Sequence, residues 1–245
     1  MRGTIAKKGN RYYPVVDLGK NPVTGKRKRK WHSGHDRKRD AQQALNPILG
    51  QIQSGEYVER TKKTFGEFLS DWLDTRQESI EPTTHNNYGH QLSYVHEHLG
   101  SRRLQDITPM ELTAFYADLL EGGRKHHSGG LSPKSVRNVH GVIRKALGDA
   151  VRWNLITRNP AVHAELPKMR RREMTTWSPT EVAAFLDSER GQREHAIWVL
   201  AATTGMRRGE VLGLSWDAIS SDYSSLSVTQ TLVNVGNTPT LKTEP

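Results

Sequence analysis

Residues 204–216 read Thr-Gly-Met-Arg-Arg-Gly-Glu-Val-Leu-Gly-Leu-Ser-Trp, and they follow an apolar helix predicted over 196–203. Gly205 ends that helix and the chain then restarts a second one, so unpaired backbone N–H groups beside Arg207 favour an anion. Glu210 follows three residues later on the same helical face and can hold the Arg207 guanidinium in place. A plain surface ion pair between these two side chains is the alternative interpretation.

The patterns around this stretch predict an α+β region over residues 174–245. Ser178-Pro179-Thr180-Glu181 is typical of a capped helix start. Apolar and polar residues alternate from Leu226 to Leu232, which predicts a strand, and Thr240-Leu241-Lys242 is expected to return beside it as a hairpin.

Residues 64–166 carry the signals of about four helices. Thr64-Phe65-Gly66-Glu67 and Thr108-Pro109-Met110-Glu111 both match capping boxes, and Ser132-Pro133 opens a long helix. The apolar residues at helical spacing indicate a core rather than a cofactor site. Any ligand must therefore meet the polar faces, where the last helix carries four basic candidates: Arg137, Arg144, Lys145 and Arg152.

Residues 1–60 predict a three-stranded sheet with one helix over about 36–53, followed by a linker. Asn46-Pro47 inside that helix predicts a kink or an early stop. The strands are expected at 3–6, 11–18 and 26–31, with a turn at 21–25.

The net charge of +10 is concentrated at the N-terminal end of the chain. Residues 1–63 hold 16 Lys and Arg against five Asp and Glu, so this part alone carries the excess. Such a field favours a polyanion, because each cation that meets a phosphate releases a counterion. A solvated basic tail and a nuclear-address signal are the alternatives.

The third strand is too basic on both faces to be buried, so it is expected at an edge or facing a groove. A two-stranded ribbon fits the major groove of DNA. The candidate contacts on this strand are Arg27, Lys28, Arg29 and Lys30.

Composition excludes several classes of protein and site. No run of 18 apolar residues occurs, so a membrane-spanning helix is not expected, and the N-terminus lacks the apolar stretch of a secretory signal. The chain has no cysteine, which excludes disulfides and thiolate metal sites. The 11 histidines form no ligand set at metal spacing. We therefore expect a cytoplasmic protein without a metal or cofactor.

The order of these parts resembles the tyrosine recombinases of the phage-integrase type, and the resemblance covers all 245 residues. It implies a multidomain fold, mainly α with small β: an arm-site DNA-binding domain at 1–60, a SAM-like core-binding domain at 64–166 and the first part of the catalytic domain at 174–245. The segment 204–210 resembles the first catalytic box of the family. Further matching motifs are Val23–Arg27, Ser33-Gly34, Arg37–Ala41, Leu131–Pro133, Ala150–Trp153 and Asn159–Ala161.

The resemblance also implies roles for individual residues. Arg207 would stabilise the phosphoryl oxygens of a scissile DNA phosphate, Glu210 would hold the guanidinium, and Lys242, followed by a threonine, would protonate the departing 5′ oxygen. Arg208 is the variable position of the motif. Arg37 and Lys38 join the DNA-binding candidates, because they fall in the arm-site motif.

The remaining catalytic parts of the family, including the tyrosine nucleophile, have no match, so the resemblance implies a C-terminally truncated chain. None of the seven tyrosines lies in a matching context. Two hypotheses follow. The chain represents a site-specific DNA recombinase that acts on double-stranded DNA, for which the family implies a homotetramer in the synapse. Alternatively, it is a non-catalytic DNA-binding remnant that competes with or regulates an intact integrase.

Overall fold

The computed structural model describes residues 3–20, 25–54, 57–125, 128–169, 173–235 and 238–243. The chain folds as two compact units. The first contains Met1–Phe65, Ser101–Phe115 and Ile143–Glu165, and the second contains Gly66–Gly100, Tyr116–Val142 and Leu166–Pro245. The architecture is mainly helical with two small sheets in the described residues, which confirms the predicted fold class.

Three antiparallel strands form the N-terminal sheet in the order β1-β2-β3, so the basic strand lies at an edge as predicted. Their bounds are Gly3–Lys8, Arg11–Lys20 and Arg27–Trp31. Val16 stands opposite Lys30 in the register, and the pairing becomes irregular beyond Asp17. The turn predicted at 21–25 lies outside the described residues except for Gly25, whose φ of 65° suits a turn glycine.

Helix α1 spans Lys38–Gln53 and packs on β1 and β2, where it buries Ala41 and Leu45. Gly3 allows this close packing, because a Cβ there would lie 2.9 Å from Leu45 and Leu49. The helix continues past Pro47 for six residues. The predicted early stop is therefore wrong.

Four helices follow, as predicted, and we call them the helical region. They are α2 Phe65–Asp74, α3 Pro82–Leu99, α4 Pro109–Gly122 and α5 Pro133–Arg152, and α4 and α5 contribute residues to both units. Trp72 is fully buried and stacks on Tyr88 with ring centroids 5.8 Å apart. Most residues of the predicted apolar stripes are buried, and Leu73, Tyr88, Leu120 and Val151 are half-buried. The buried ones include Leu92, Val95, Leu112, Phe115, Tyr116, Leu119, Val136, Val139, Ile143, Ala146, Leu147 and Ala150.

The C-terminal region, residues 173–243, contains three short α-helices, one 3-10 helix at Trp216–Ala218 and two paired strands in its described residues. The α-helices and strands are α6 Pro179–Ser188, α7 His195–Thr204, α8 Arg208–Gly213, β4 Gln230–Val235 and β5 Thr238–Thr243. The strand predicted from Leu226 starts four residues later, and Leu226 makes only a single bridge to Ile219. Helix α8 ends at Gly213, because Leu214 takes an extended backbone conformation.

Apolar side chains of the C-terminal region remain accessible. Within its described residues, Val211 is the only buried apolar side chain. Phe185 and Leu186, on the apolar side of α6, are half-buried. Three tryptophans are exposed by 41–83%: Trp177, Trp198 and Trp216. In the described part of the chain, no helix has the length and apolar character needed to cross a membrane.

Candidate functional site

Arg207 stands where one helix ends and the next begins. Gly205 closes α7 in the left-handed conformation, with φ at 70°, and its N–H donates to the Ala201 carbonyl. Arg207 then adopts an extended backbone and immediately precedes α8. The left-handed backbone of Gly205 thus ends α7 and turns the chain towards Arg207.

The Glu210 carboxylate binds Arg207 at two points. One oxygen accepts the backbone N–H of Arg207 at 2.7 Å, and the other accepts the guanidinium Nη1 at 2.7 Å. These two hydrogen bonds lower the pKa of Glu210, the backbone bond contributing more. The expected contact between the two side chains is therefore present.

Exposure differs sharply within this pair. The Glu210 side chain is 11% exposed, whereas 86% of the Arg207 side chain is exposed. The Glu210 carboxylate thus holds one amine of the Arg207 guanidinium, and the rest of the guanidinium remains accessible to a ligand. Arg208, the first residue of α8, is also exposed.

Two glycines bring α8 close to β4, a feature that the sequence analysis missed. A Cβ on Gly209 would lie 2.6 Å from Thr231 Oγ1, and one on Gly213 would lie 2.9 Å from the Gln230 carbonyl oxygen. Thr231 stands opposite Lys242 in the hairpin register. Helix α8 and the candidate lysine are therefore fixed to the same strand. The four-residue spacing of the glycines, which places both on one helical face, was the available signal.

Lys242 lies on β5, and its ammonium pairs with Glu81 at 3.2 Å. Glu81 immediately precedes α3. The two side chains are 46% and 58% exposed, so water screens the pair. They border an open cavity of about 370 Å³ that is also lined by Pro82, Thr231 and Leu241. The candidate proton donor is thus engaged by a carboxylate in this structure.

The four candidates on β3 divide between two faces of the sheet. Lys28 and Lys30 each donate to one oxygen of Glu59, both at 2.7 Å. Arg27 pairs instead with Asp17 at 3.0 Å, and Arg29 stands opposite Asp17 in the register. Because side chains alternate along a strand, the arginines and the lysines face opposite sides. The sequence analysis treated the four as equivalent, whereas the structure distinguishes them.

The face that carries Arg27 and Arg29 also holds an aromatic pair. Tyr13 and Trp31 meet edge to face with centroids 5.8 Å apart, and Trp31 is 50% exposed. We call this side of the sheet, away from α1, the outer face. It combines accessible cations with an exposed aromatic ring.

Arg37 and Lys38 lie at the start of α1 and are exposed. Arg37 is the residue before the first helical turn, and its side chain makes no capping hydrogen bond. Positive charge at this end of a helix opposes the helix dipole, so a bound anion would relieve the repulsion.

The candidates on α5 have unequal surroundings. Arg137 is half-buried and donates through Nε to the Pro167 carbonyl at 3.0 Å, which is a structural contact. Arg152 pairs with Asp149, a carboxylate that is 1% exposed. Arg144 and Lys145 are exposed. The Arg152 side chain is also 72% exposed. The structure therefore leaves three of the four candidates, Arg144, Lys145 and Arg152, accessible, and only Arg137 is half-buried.

The described residues contain no group of three or more His, Cys, Asp or Glu side chains that could hold a metal ion. His126 and His127, which the sequence analysis considered, lie outside the described residues. Tyr223, the tyrosine of the C-terminal region, is 80% exposed and has a left-handed backbone with φ at 55°.

Comparison with known proteins places these features in context. The chain matches the Arm DNA-binding domain family over residues 4–52 and the N-terminal SAM-like domain of phage integrases over residues 64–120. It is 26% identical to a tyrosine recombinase XerC-like protein of Caldanaerobacter subterraneus over 239 residues, 94% of this chain and 59% of that relative. It is 27% identical to the ICEBs1 integrase of Bacillus subtilis over 232 residues, 92% of this chain and 60% of that protein. The chain thus spans about 60% of the length of these two relatives.

Solved structures share the fold. The Tn1549 transposon integrase, in complex with a circular intermediate DNA, superposes with a TM-score of 0.64 and 16% identity, covering 75% of this chain and 58% of that one. A lambda integrase tetramer bound to a Holliday junction superposes with a TM-score of 0.55 and 19% identity, covering 98% and 68% of the two chains.

Proposed function

Because this chain belongs to the tyrosine recombinase family of phage-type integrases, we propose that it binds duplex DNA and serves site-specific recombination. The proposed division of labour follows the sequence. Residues 1–60 contact arm sites, residues 64–166 contact core sites, and residues 174–245 supply part of the strand-transfer chemistry. The DNA complexes of the two integrases with the same fold support duplex DNA as the partner.

The Arg207–Glu210 pair is the observation that carries this proposal. Phosphoryl transfer builds negative charge on the non-bridging oxygens, and a guanidinium offers a planar fork of donors for them. Glu210 binds both the backbone and one amine of Arg207, so the fork is oriented before DNA arrives. In this role Arg207 stabilises the scissile phosphate and Glu210 positions it.

Lys242 acts in the proposal as the general acid. A protonated ammonium on a flexible stem can deliver a proton to the departing 5′ oxygen. In the structure this ammonium is paired with Glu81. The ion pair must therefore open before Lys242 can serve the leaving group, which is feasible because exposed ion pairs contribute only about 0–1 kcal/mol.

No tyrosine of this sequence is proposed as the nucleophile. A phenol needs a neighbouring activating group, and Tyr223 lies in an exposed turn. A nicked suicide substrate, followed by denaturing gel electrophoresis, tests this assignment. We expect the chain to bind the duplex without a covalent adduct, as the regulatory DNA-binding hypothesis also requires. A band that survives denaturation would show that one of the seven tyrosines does attack DNA.

The role of Arg207 is tested by a matched pair of variants. Arg207→Ala and Arg208→Ala each remove one positive charge from the same turn. We expect Arg207→Ala to weaken duplex binding several-fold more than Arg208→Ala, because Glu210 orients only Arg207. Equal losses in a fluorescence anisotropy titration would mean that Arg207 contributes only general charge.

A homo-oligomer on DNA is also part of the proposal, since the lambda integrase is seen as a tetramer on its junction. Sedimentation velocity with and without duplex DNA tests it. We expect assemblies larger than one chain per site only in the presence of DNA.

A further inference from the structure

Glu59 joins two lysines of β3 through a single carboxylate. Lys28 and Lys30 each donate to a different oxygen at 2.7 Å, although they precede Glu59 by 31 and 29 residues. The bonds from Lys28 and then Lys30 lower the pKa of Glu59 to about 2. The same contact raises the pKa of Lys30. The ammonium groups of Lys28 and Lys30 therefore share one carboxylate from the same chain, that of Glu59.

The backbone around Glu59 is fastened in place. Gln105 donates through Nε2 to the Glu59 carbonyl at 2.9 Å and to the Leu155 carbonyl at 3.0 Å. The same amide accepts the N–H of Thr61 through Oε1 at 3.2 Å. The segment that was expected to be a plain linker is thus anchored, and its carboxylate is presented to β3.

A cavity and a third basic side chain, that of Arg60, lie beside Lys30. A cavity of about 430 Å³ borders Lys30 and is also lined by His32, Tyr57 and Arg60. Burial lowers the pKa of His32, and the positive charges of Lys30 and Arg60 lower it further. The positive charge around this cavity therefore disfavours protonation of His32 and favours the binding of an anion.

The geometry points to a phosphate-binding site on Lys28 and Lys30 that Glu59 occupies in place of a DNA backbone phosphate. A carboxylate and a phosphate both present oxygen acceptors at similar reach, and an ammonium binds either as a point charge. The site lies on the α1 side of the sheet, separate from the outer face. It rests on the proposed function, because the phosphate comes from bound duplex DNA. While Glu59 stays in place, its carboxylate competes with DNA phosphates for Lys28 and Lys30, whose side chains are 51% and 36% exposed.

The test compares the salt dependence of duplex binding for four chains: wild type, Glu59→Gln, Glu59→Gln with Lys28→Ala and Lys30→Ala, and Glu78→Gln. Glu78 is an exposed carboxylate outside the sheet, so its variant matches the charge change of Glu59→Gln. One additional phosphate contact should steepen the slope of log K against log salt by about 0.9. We expect this only in Glu59→Gln, with the gain absent from the triple variant.

Inorganic phosphate distinguishes the source of the ligand. At constant ionic strength, we expect millimolar phosphate to shift the β3 amide signals of Glu59→Gln in NMR spectra and to compete with the duplex for the added affinity. A phosphate response with no change in duplex binding would overturn the assignment to DNA.

Failure of this inference can be told apart from failure of the proposed function. A wild-type chain that binds duplex DNA, with Glu59→Gln indistinguishable from Glu78→Gln, contradicts the Glu59 site alone. A wild-type chain and variants that bind no duplex at low salt contradict both.

Discussion

The helical region and the C-terminal region begin helices with the same local chemistry but differ in burial. Thr108 and Glu111 form a reciprocal cap at α4, and Ser178 and Glu181 form the same cap at α6. Yet α5 alone buries seven apolar side chains, whereas α6 and α7 have no buried residue. The cap and the apolar spacing therefore specify a helix, but they do not determine whether its apolar side is covered.

The buried apolar core and the residues with proposed catalytic roles therefore lie in different regions of the chain. The residues with proposed catalytic roles lie in the C-terminal region, where the Arg207 and Lys242 side chains are accessible. The deep apolar contacts lie in the helical region. We expect cooperative unfolding to report mainly on the helical region, and the hairpin to open more readily.

The largest contrast is expected between two tryptophans. Trp72→Ala removes a fully buried ring that stacks on Tyr88, so it should lower the free energy of unfolding by about 3–5 kcal/mol. Trp216 is 83% exposed, and Trp216→Ala should change that free energy by no more than about 0.5 kcal/mol. Urea denaturation followed by circular dichroism measures both. Comparable losses would mean that the C-terminal region has a core of its own.

Two glycine substitutions should act in opposite directions. A Cβ on Gly213 would approach the Gln230 oxygen and the Leu232 nitrogen to 2.9 Å, so Gly213→Ala should destabilise the packing of α8 on β4 by about 1–3 kcal/mol. Gly141 has nothing within 4 Å of the added atom, so Gly141→Ala should stabilise α5 by about 0.5–1 kcal/mol. Amide hydrogen exchange of β4 and thermal melting measure the two effects. Faster exchange of β4 in the Gly141 variant would contradict this assignment.

The smallest expected effect is the loss of stability at low pH from the two helix caps, Thr108–Glu111 and Ser178–Glu181. Burial opposes ionisation of Glu111, but bonds from Thr108 and the charge of Arg102 outweigh it and lower the Glu111 pKa. The Ser178 backbone N–H and then its hydroxyl lower the Glu181 pKa. A lowered carboxyl pKa contributes stability that is present above the ordinary value of about 4.3 and is lost as the pH falls through the folded value.

Glu111→Gln should therefore flatten the acid side of the stability profile, by less than about 1 kcal/mol because solvent screens the carboxylate, which is 24% exposed. Glu181→Gln should leave the cooperative transition unchanged, since no residue of α6 is fully buried. Urea titrations at pH 5, 4 and 3 provide the measurement, and an equal response of both variants would remove the distinction between the regions.

Local signals were sufficient for much of the fold. The caps at Thr108 and Ser178 and the glycine end at Gly205 involve neighbours within four residues, so sequence spacing predicted them. The edge position of β3 also followed from its charge. By contrast, β4 begins at Gln230 rather than Leu226, because alternation alone does not reveal where a strand partner starts.

The candidate site depended more on distant contacts. The Arg207–Glu210 contact was predictable from its spacing of three residues, but Glu81 meets Lys242 across 161 positions of the sequence. The pairing of Glu59 with Lys28 and Lys30 likewise joins side chains that only the fold brings together. The sequence therefore identified these three lysines but not the distant carboxylates that pair with them.

Binding of duplex DNA by this chain is the central claim, and we propose that residues 1–60 bind it through phosphate contacts on the outer face of the N-terminal sheet. The salt dependence of duplex binding tests this claim most directly. Arg27→Ala with Arg29→Ala should weaken binding and reduce the magnitude of the slope of log K against log salt by about 0.9–1.8, the lower value applying when Asp17 keeps Arg27 paired in the complex. Lys28→Ala with Lys30→Ala should leave the slope close to that of the wild type, because Glu59 already holds both ammonium groups. An unchanged affinity and slope in the arginine variant would contradict the claim.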